Sequence, residues 1–280
     1  MKTSLHCQAA AHHAEQLVRR LGIASLPVDP FEIAANHDIV VKPKPSSSAG
    51  VSGFLVKTGD VFGIMYASHI QNEGFIRFTV AHELGHYFLP GHPAKLFPNG
   101  SGHHQSTSGF LSRDPIEEEA DHFAAALLMP SQLFSAAIDD AGEGFSAIAN
   151  LASLCKTSIT ATAIRFATLS PGPVAVVVSK GSRIEYCFLS EALRDIKELA
   201  WIRKGACLPK KSETYAFNGN PENVTKARKA EAWTRLDLWF DDGPEIEMKE
   251  DVVGLGAYDR TLTVLFADEL PEPEDEDTDD

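Results

Sequence analysis

Two histidines four residues apart carry the first chemical signal: His82 and His86, in the segment FTVAHELGHYF. On a helix this spacing projects both imidazoles from one face. It suits two of the four ligands of a tetrahedral zinc ion, bound through ring nitrogens at about 2.0–2.1 Å. Glu83 follows the first histidine directly, so its carboxylate falls beside the metal rather than on it. A carboxylate there can take a proton from a water that attacks a carbonyl. Zinc is the default for two imidazoles and a carboxylate, and Mn2+ or Fe2+ fits a similar site. The plain alternative is two helix histidines beside a solvated glutamate.

A catalytic zinc takes a third protein ligand and keeps one position open. His92 lies six residues after His86. A third histidine at that spacing needs glycine at the position of Leu89 to swing the chain back, and here the glycine is Gly91. Glu117 is the stronger candidate. It opens a second expected helix, with Asp121 one turn on and facing the same way. In that arrangement Glu117 binds the metal and Asp121 accepts the remaining N–H of one histidine. Asp114 with Glu117 also reads as a capping box, in which Glu117 only caps its own helix. Glu118 and Glu119 read as solvated first-turn charges. His103 and His104 read as exposed loop residues.

These residues need elements to hold them. Apolar periodicity and stop signals predict helices over 8–21, 31–36, 74–89 and 115–129. Asp114 and Pro115 suit the start of the last of these. Gly85, in the middle of the first site helix, costs about 1 kcal/mol against alanine, which points to close approach of another backbone. Strands are expected over 39–42, 53–56 and 61–66, with a hairpin turn at Gly59-Asp60. The 61–66 strand is a candidate edge for an extended peptide. Residues 91–109 read as a mobile loop. Tyr66, His69 and Tyr87 are candidate donors to an oxyanion. Residues 145–168 predict two short helices about Lys156-Thr157, with Ser158 as N-cap. Beyond 170 the character changes to strands over 173–179, 183–189, 236–240 and 261–267, a second α/β domain.

The chain has 280 residues, 44% hydrophobic and 23% charged, an ordinary balance for folded domains. No apolar run reaches the roughly 18 residues of a membrane span, and the N-terminus lacks the apolar stretch of a signal peptide. A cytoplasmic protein is expected. The four cysteines, at 7, 155, 187 and 207, form neither a disulfide framework nor a Cys-rich zinc site. Of the net charge of -14, seven acidic groups sit in the last ten residues, so 271–280 reads as a disordered acidic tail. The acidic body argues against direct DNA binding. Residues 194–236 carry ten basic and five acidic groups, best read as a solvated surface. Trp201, Trp233 and Trp239 read as core.

RFTVAHELGHYFL, followed about thirty residues later by EEEADHFAAALLMP, resembles the ImmA/IrrE-type zinc metallopeptidases. LPVDPFEIAANHDIVV and LASLCKTSITATAIRF are similar to that family too, so the resemblance covers residues 8–170. It implies a gluzincin-like site: His82, His86 and Glu117 on the metal, Glu83 as the catalytic glutamate and Asp121 behind a ligand. The implied fold is α+β, a small β-sheet beside the HExxH and Glu helices. The order of domains is similar to the longer IrrE-like branch, whose last domain is GAF-like. The expected organisation is a metallopeptidase domain over 1–135, a helix-turn-helix-like segment over 136–170, a GAF-like α/β sensor domain over 171–270, and the tail. The family cleaves helix-turn-helix repressors of stress-response or mobile-element genes. That implies a metalloendopeptidase with a repressor as substrate and a small-molecule or protein signal at the C-terminal domain. The competing class is a non-proteolytic, metal-stabilised regulator that binds a transcription factor or DNA. Two histidines and one glutamate leave a position for water, whereas structural zinc is closed by four ligands, so the residues favour chemistry.

Overall fold

Ser4 starts the first helix, its hydroxyl accepting from the Cys7 amide. Helix α1 (Leu5–Arg20) ends on Arg19 and Arg20, cations that suit the negative end of a helix. Asp29 caps α2 (Pro30–Ala35) in the same way. The computed structural model describes residues 4–44, 51–68, 72–106, 114–197 and 199–270. The chain divides into two compact units, 1–137 with 150–161, and 138–149 with 162–280.

In the first unit, β1 (Val40–Lys44), β2 (Gly53–Thr58), β3 (Val61–Ala67) and β4 (Gly102–Ser106) form a sheet in the order β1-β3-β2-β4. The β1–β3 pair is parallel, and β2 runs antiparallel to both β3 and β4. Two expectations change here. The 61–66 strand lies inside the sheet, flanked by β1 and β2, so its backbone is already used and it is no docking edge. The 91–109 segment is not a mobile loop throughout. It contains α4 (His92–Leu96) and the edge strand β4, while 107–109 lies outside the described residues.

Helix α3 (Glu73–Phe88) lies between the sheet and α5 (Pro115–Leu128), and α1 packs on the other side of α5. A Cβ on Gly85 would sit 3.2 Å from the Cα of Ala120. The close approach read from the sequence is therefore real: at Gly85 the two site helices touch backbone to backbone. That contact brings a carboxylate from α5 within reach of histidines on α3.

After α6 (Ser131–Ile138), the division between units passes through α7 (Gly144–Cys155) and α8 (Ile159–Leu169). Lys156, with φ of 55°, makes the left-handed turn between α7 and α8, and the Ser158 hydroxyl accepts from the Ala161 amide. The second unit adds β5 (Val174–Lys180), β6 (Arg183–Leu189), α9 (Glu191–Arg194), α10 (Glu213–Asn218), α11 (Pro221–Thr225), β7 (Lys229–Arg235), α12 (Leu236–Trp239), β8 (Glu247–Gly254) and β9 (Thr261–Phe266). Its sheet is antiparallel, in the order β6-β5-β9-β8-β7. LDLWF, expected as a strand, is helical. Leu236 and Trp239, three residues apart, both enter the core beside Met248 and Leu265. A five-residue run with one polar position, Asp237, is too short for its periodicity to separate the two states. Trp239 is core, but Trp201 and Trp233 are exposed, against expectation. The described molecule is α+β, and no helix among its described residues is long and apolar enough to cross a membrane.

Candidate metal centre

Asn72 caps α3 through the Phe75 amide, and the helix carries His82, Glu83 and His86 into full burial. Asp114 caps α5 through the Ile116 amide, and Glu117 turns its carboxylate toward the two histidines. His82 Nε2 and His86 Nε2 are 3.1 Å apart. Glu117 Oε2 is 3.4 Å from His82 Nε2, and Oε1 is 3.2 Å from His86 Nε2. Bonds of 2.0–2.1 Å in a tetrahedron separate ligand atoms by about 3.3 Å. The three donors thus already stand at the spacing of one face of a zinc tetrahedron.

The chemistry of the donors agrees. Glu117 Oε2 is buried with no hydrogen-bond partner, and its 3.4 Å approach to His82 is an ion-pair contact. Burial alone would lift the Glu117 carboxyl, but the His104, His82 and His86 imidazoles outweigh it and hold it far below the usual carboxylate range. Burial pushes the His86 imidazole down to about 3, so it is neutral at physiological pH. A neutral imidazole, a second imidazole and a carboxylate converging in a dry site call for a cation between them. Among the described residues, His82, His86 and Glu117 are the group placed to hold one.

His82 Nδ1 donates to Asp121 Oδ1 at 2.8 Å, which turns Nε2 toward the other two ligands. Burial opposes charge on His82, but the Asp121 hydrogen bond and the nearby Glu117 overcome it and raise its pKa to about 10. Before metal binds, His82 therefore carries the site's positive charge. A metal ion held by His82 would have to displace that proton. Zinc affinity is expected to rise with pH, by about tenfold per unit between roughly pH 6 and 8. Competition titrations against a chromophoric chelator would measure the slope, and a flat profile would contradict this account.

Glu83 has both carboxylate oxygens buried and unpartnered. Burial raises its pKa to about 7. Strand β2 makes room for it. A Cβ on Gly53 would fall 2.6 Å from Glu83 Oε1 and 2.5 Å from Thr79 Cγ2, so only glycine leaves the carboxylate its place.

Three residues enter the site differently from the sequence reading. His104, read as an exposed loop residue, sits on β4 opposite Leu55 of β2. Its Nε2 donates to Glu117 Oε1 at 2.8 Å, and its ring centre is 4.9 Å from that of His86. His92, the alternative third ligand, meets the far side of His86 instead, Nδ1 to Nδ1 at 3.1 Å. Glu119, read as solvated, accepts from His92 Nε2 at 3.0 Å. No periodicity marks the chain between α3 and α5, so no sequence signal placed His92 or His104. Of the donors considered for an oxyanion, Tyr66 packs edge-on against Phe31, and Tyr87 lies among His37, Phe62 and Phe88. His69 lies outside the described residues.

Residues 34–166 match the Peptidase_M78 family, described as the IrrE N-terminal-like domain. The match spans β1 to α8 and holds every residue of the cluster. No curated protein matches the chain. A solved structure described as a Mycobacterium tuberculosis transcriptional regulator is similar in fold. Its TM-score is 0.55 at 15% identity, over 92% of this chain and 76% of that one.

Proposed function

Because residues 34–166 match the IrrE N-terminal-like domain of the Peptidase_M78 family, we propose that the chain is a zinc-dependent endopeptidase that cleaves a helix-turn-helix repressor and so switches on stress-response or mobile-element genes. The observation that carries this reading is Glu83, buried and unpartnered beside three converging ligands. A site built only to hold a metal has no use for such a residue.

His82, His86 and Glu117 would hold the zinc, with Asp121 fixing His82. A bound zinc ion supplies Lewis acidity, which polarises the scissile carbonyl and lowers the pKa of water toward 7. Glu83 takes a proton from the attacking water and hands it to the nitrogen of the leaving amine. Burial holds its pKa above the ordinary carboxylate value, which favours a carboxyl group that both takes up and releases a proton. His104, partly open to solvent on the edge strand, holds the Glu117 carboxylate in place through its Nε2 hydrogen bond. The outer edge of β4 is the docking edge that the interior strand β3 cannot be, and it offers an extended peptide backbone pairing beside the metal. His104→Ala is expected to weaken zinc binding by about 10–100-fold, the cost of losing a ligand's hydrogen-bond partner, read by competition titration against a chromophoric chelator.

The test is co-expression with a helix-turn-helix repressor from the same operon or stress regulon. Cleavage by wild type, lost with a chelator and with Glu83→Gln, would support the proposal. Tight binding of the repressor without cleavage by the zinc-loaded wild type would move the non-proteolytic regulator ahead.

A further inference from the structure

A histidine that binds metal through Nε2 must carry its proton on Nδ1, and a partner there has to accept it. For His82 that partner is the Asp121 carboxylate. For His86 it is another imidazole, His92, and two imidazole nitrogens make a hydrogen bond only when one donates and the other accepts. We propose that Glu119 and His92 form a positioning chain behind His86: the Glu119 carboxylate holds the His92 proton on Nε2, His92 Nδ1 is left as an acceptor, and His86 Nε2 is presented bare to the metal. This rests on the reading that His82, His86 and Glu117 hold zinc.

The geometry supplies each link. Glu119 Oε2 to His92 Nε2 is 3.0 Å, and a carboxylate can only accept. His92 Nδ1 to His86 Nδ1 is 3.1 Å. His92 is 2% exposed, so its buried ring relies on these protein partners. With its Nε2 proton held by Glu119, the neutral His92 ring has only a lone pair left at Nδ1 to face His86. Leu89, Pro90 and Gly91 explain why His92 lies behind His86. Gly91 takes a left-handed φ of 84° and opens α4 one residue before His92. That turn brings His92 to the Nδ1 side of His86. Helix α5 then supplies three functions at alternate positions: Glu117 to the metal site, Glu119 behind His92, and Asp121 behind His82. A doubly protonated His92 would force His86 to accept at Nδ1 and carry its proton on Nε2, where it blocks the ligand position.

The measurements are zinc competition titrations on the full chain and 15N imidazole spectra of the zinc-free wild type. His92→Leu is expected to weaken zinc binding by about 10–100-fold. His92→Asn, which can place an amide oxygen where Nδ1 was, is expected to recover most of that loss. In the zinc-free wild type, His86 should be the Nδ1–H tautomer. Unchanged affinity in a folded His92→Leu protein would overturn the proposal. So would failure of Asn to recover binding together with a much larger loss, which would make His92 a ligand. If His92→Leu does not fold, the wild-type spectrum decides: a His86 Nε2–H tautomer sinks the chain. Neither readout uses proteolysis. A protein that cleaves no repressor leaves this test intact, and a wild type that binds no zinc refutes the metal site while the tautomer still tests the chain.

Discussion

Glu83→Gln is expected to abolish cleavage and, in the zinc-free protein, to raise stability. Both effects come from the same burial. The carboxylate is fully enclosed, has no hydrogen-bond partner and has a pKa of about 7 against an ordinary 4.5. In that range the folded state holds the proton more tightly than the unfolded chain. Stability is therefore lost as pH rises from 4.5, and the loss is complete above about 7. A shift of this size corresponds to on the order of 3 kcal/mol at pH 8, and a buried amide with incomplete hydrogen bonding gives part of it back. The expected gain for Glu83→Gln is about 1–3 kcal/mol at pH 8 and nearly nothing at pH 4.5. Chemical denaturation of the two zinc-free proteins at both pH values measures it. Added zinc should narrow the gap, because a nearby cation favours the charged carboxylate. Loss of the general base should cost at least about 10²–10⁴ in turnover. A variant that is more stable and inactive marks a residue kept for chemistry. One that is less stable and still active would mean that Glu83 holds the fold instead.

The site's first ring of residues was readable because it is local. HELGH sets two imidazoles and a carboxylate within one helical turn, and Glu117 with Asp121 repeats the trick on α5. Their meeting depends on one crossing, and Gly85 announced it in the middle of a helix. What could not be read depends on the path of the chain between the helices. His92 and His104 sit in a stretch rich in glycine, proline and polar residues, where no periodicity says which side chain returns to the site. Glu119 could not be separated from Glu118 without knowing that His92 comes back beside it. In the second unit, β8 was missed because Glu250 occupies an inward position. It is fully buried and accepts from the amide and hydroxyl of Thr214, so the alternation of Met248 and Val252 is broken by a charge. Strand β7 alternates small, charged and aromatic residues at an edge, and only the partner β8 explains it.

Glu117→Ala separates the two sequence readings of that residue. If Glu117 only closed a capping box, its loss would cost about 1 kcal/mol of stability and leave metal binding alone. The structure assigns the cap to Asp114 and turns Glu117 into contact with three imidazoles. Removing it deletes one donor of three. Zinc affinity is expected to fall by more than the roughly 10–100-fold that losing an outer hydrogen-bond partner costs, and cleavage should vanish with it. Asp121→Ala should fall within that smaller range, because His82 survives but loses its anchor. Glu118→Ala, one residue along the same first turn, should leave zinc binding unchanged. The order Glu117, then Asp121, then Glu118 in competition titrations is the signature of a ligand, a positioning carboxylate and a bystander. Equal losses at Glu117 and Glu118 would return Glu117 to its helix and leave the two histidines without a third ligand.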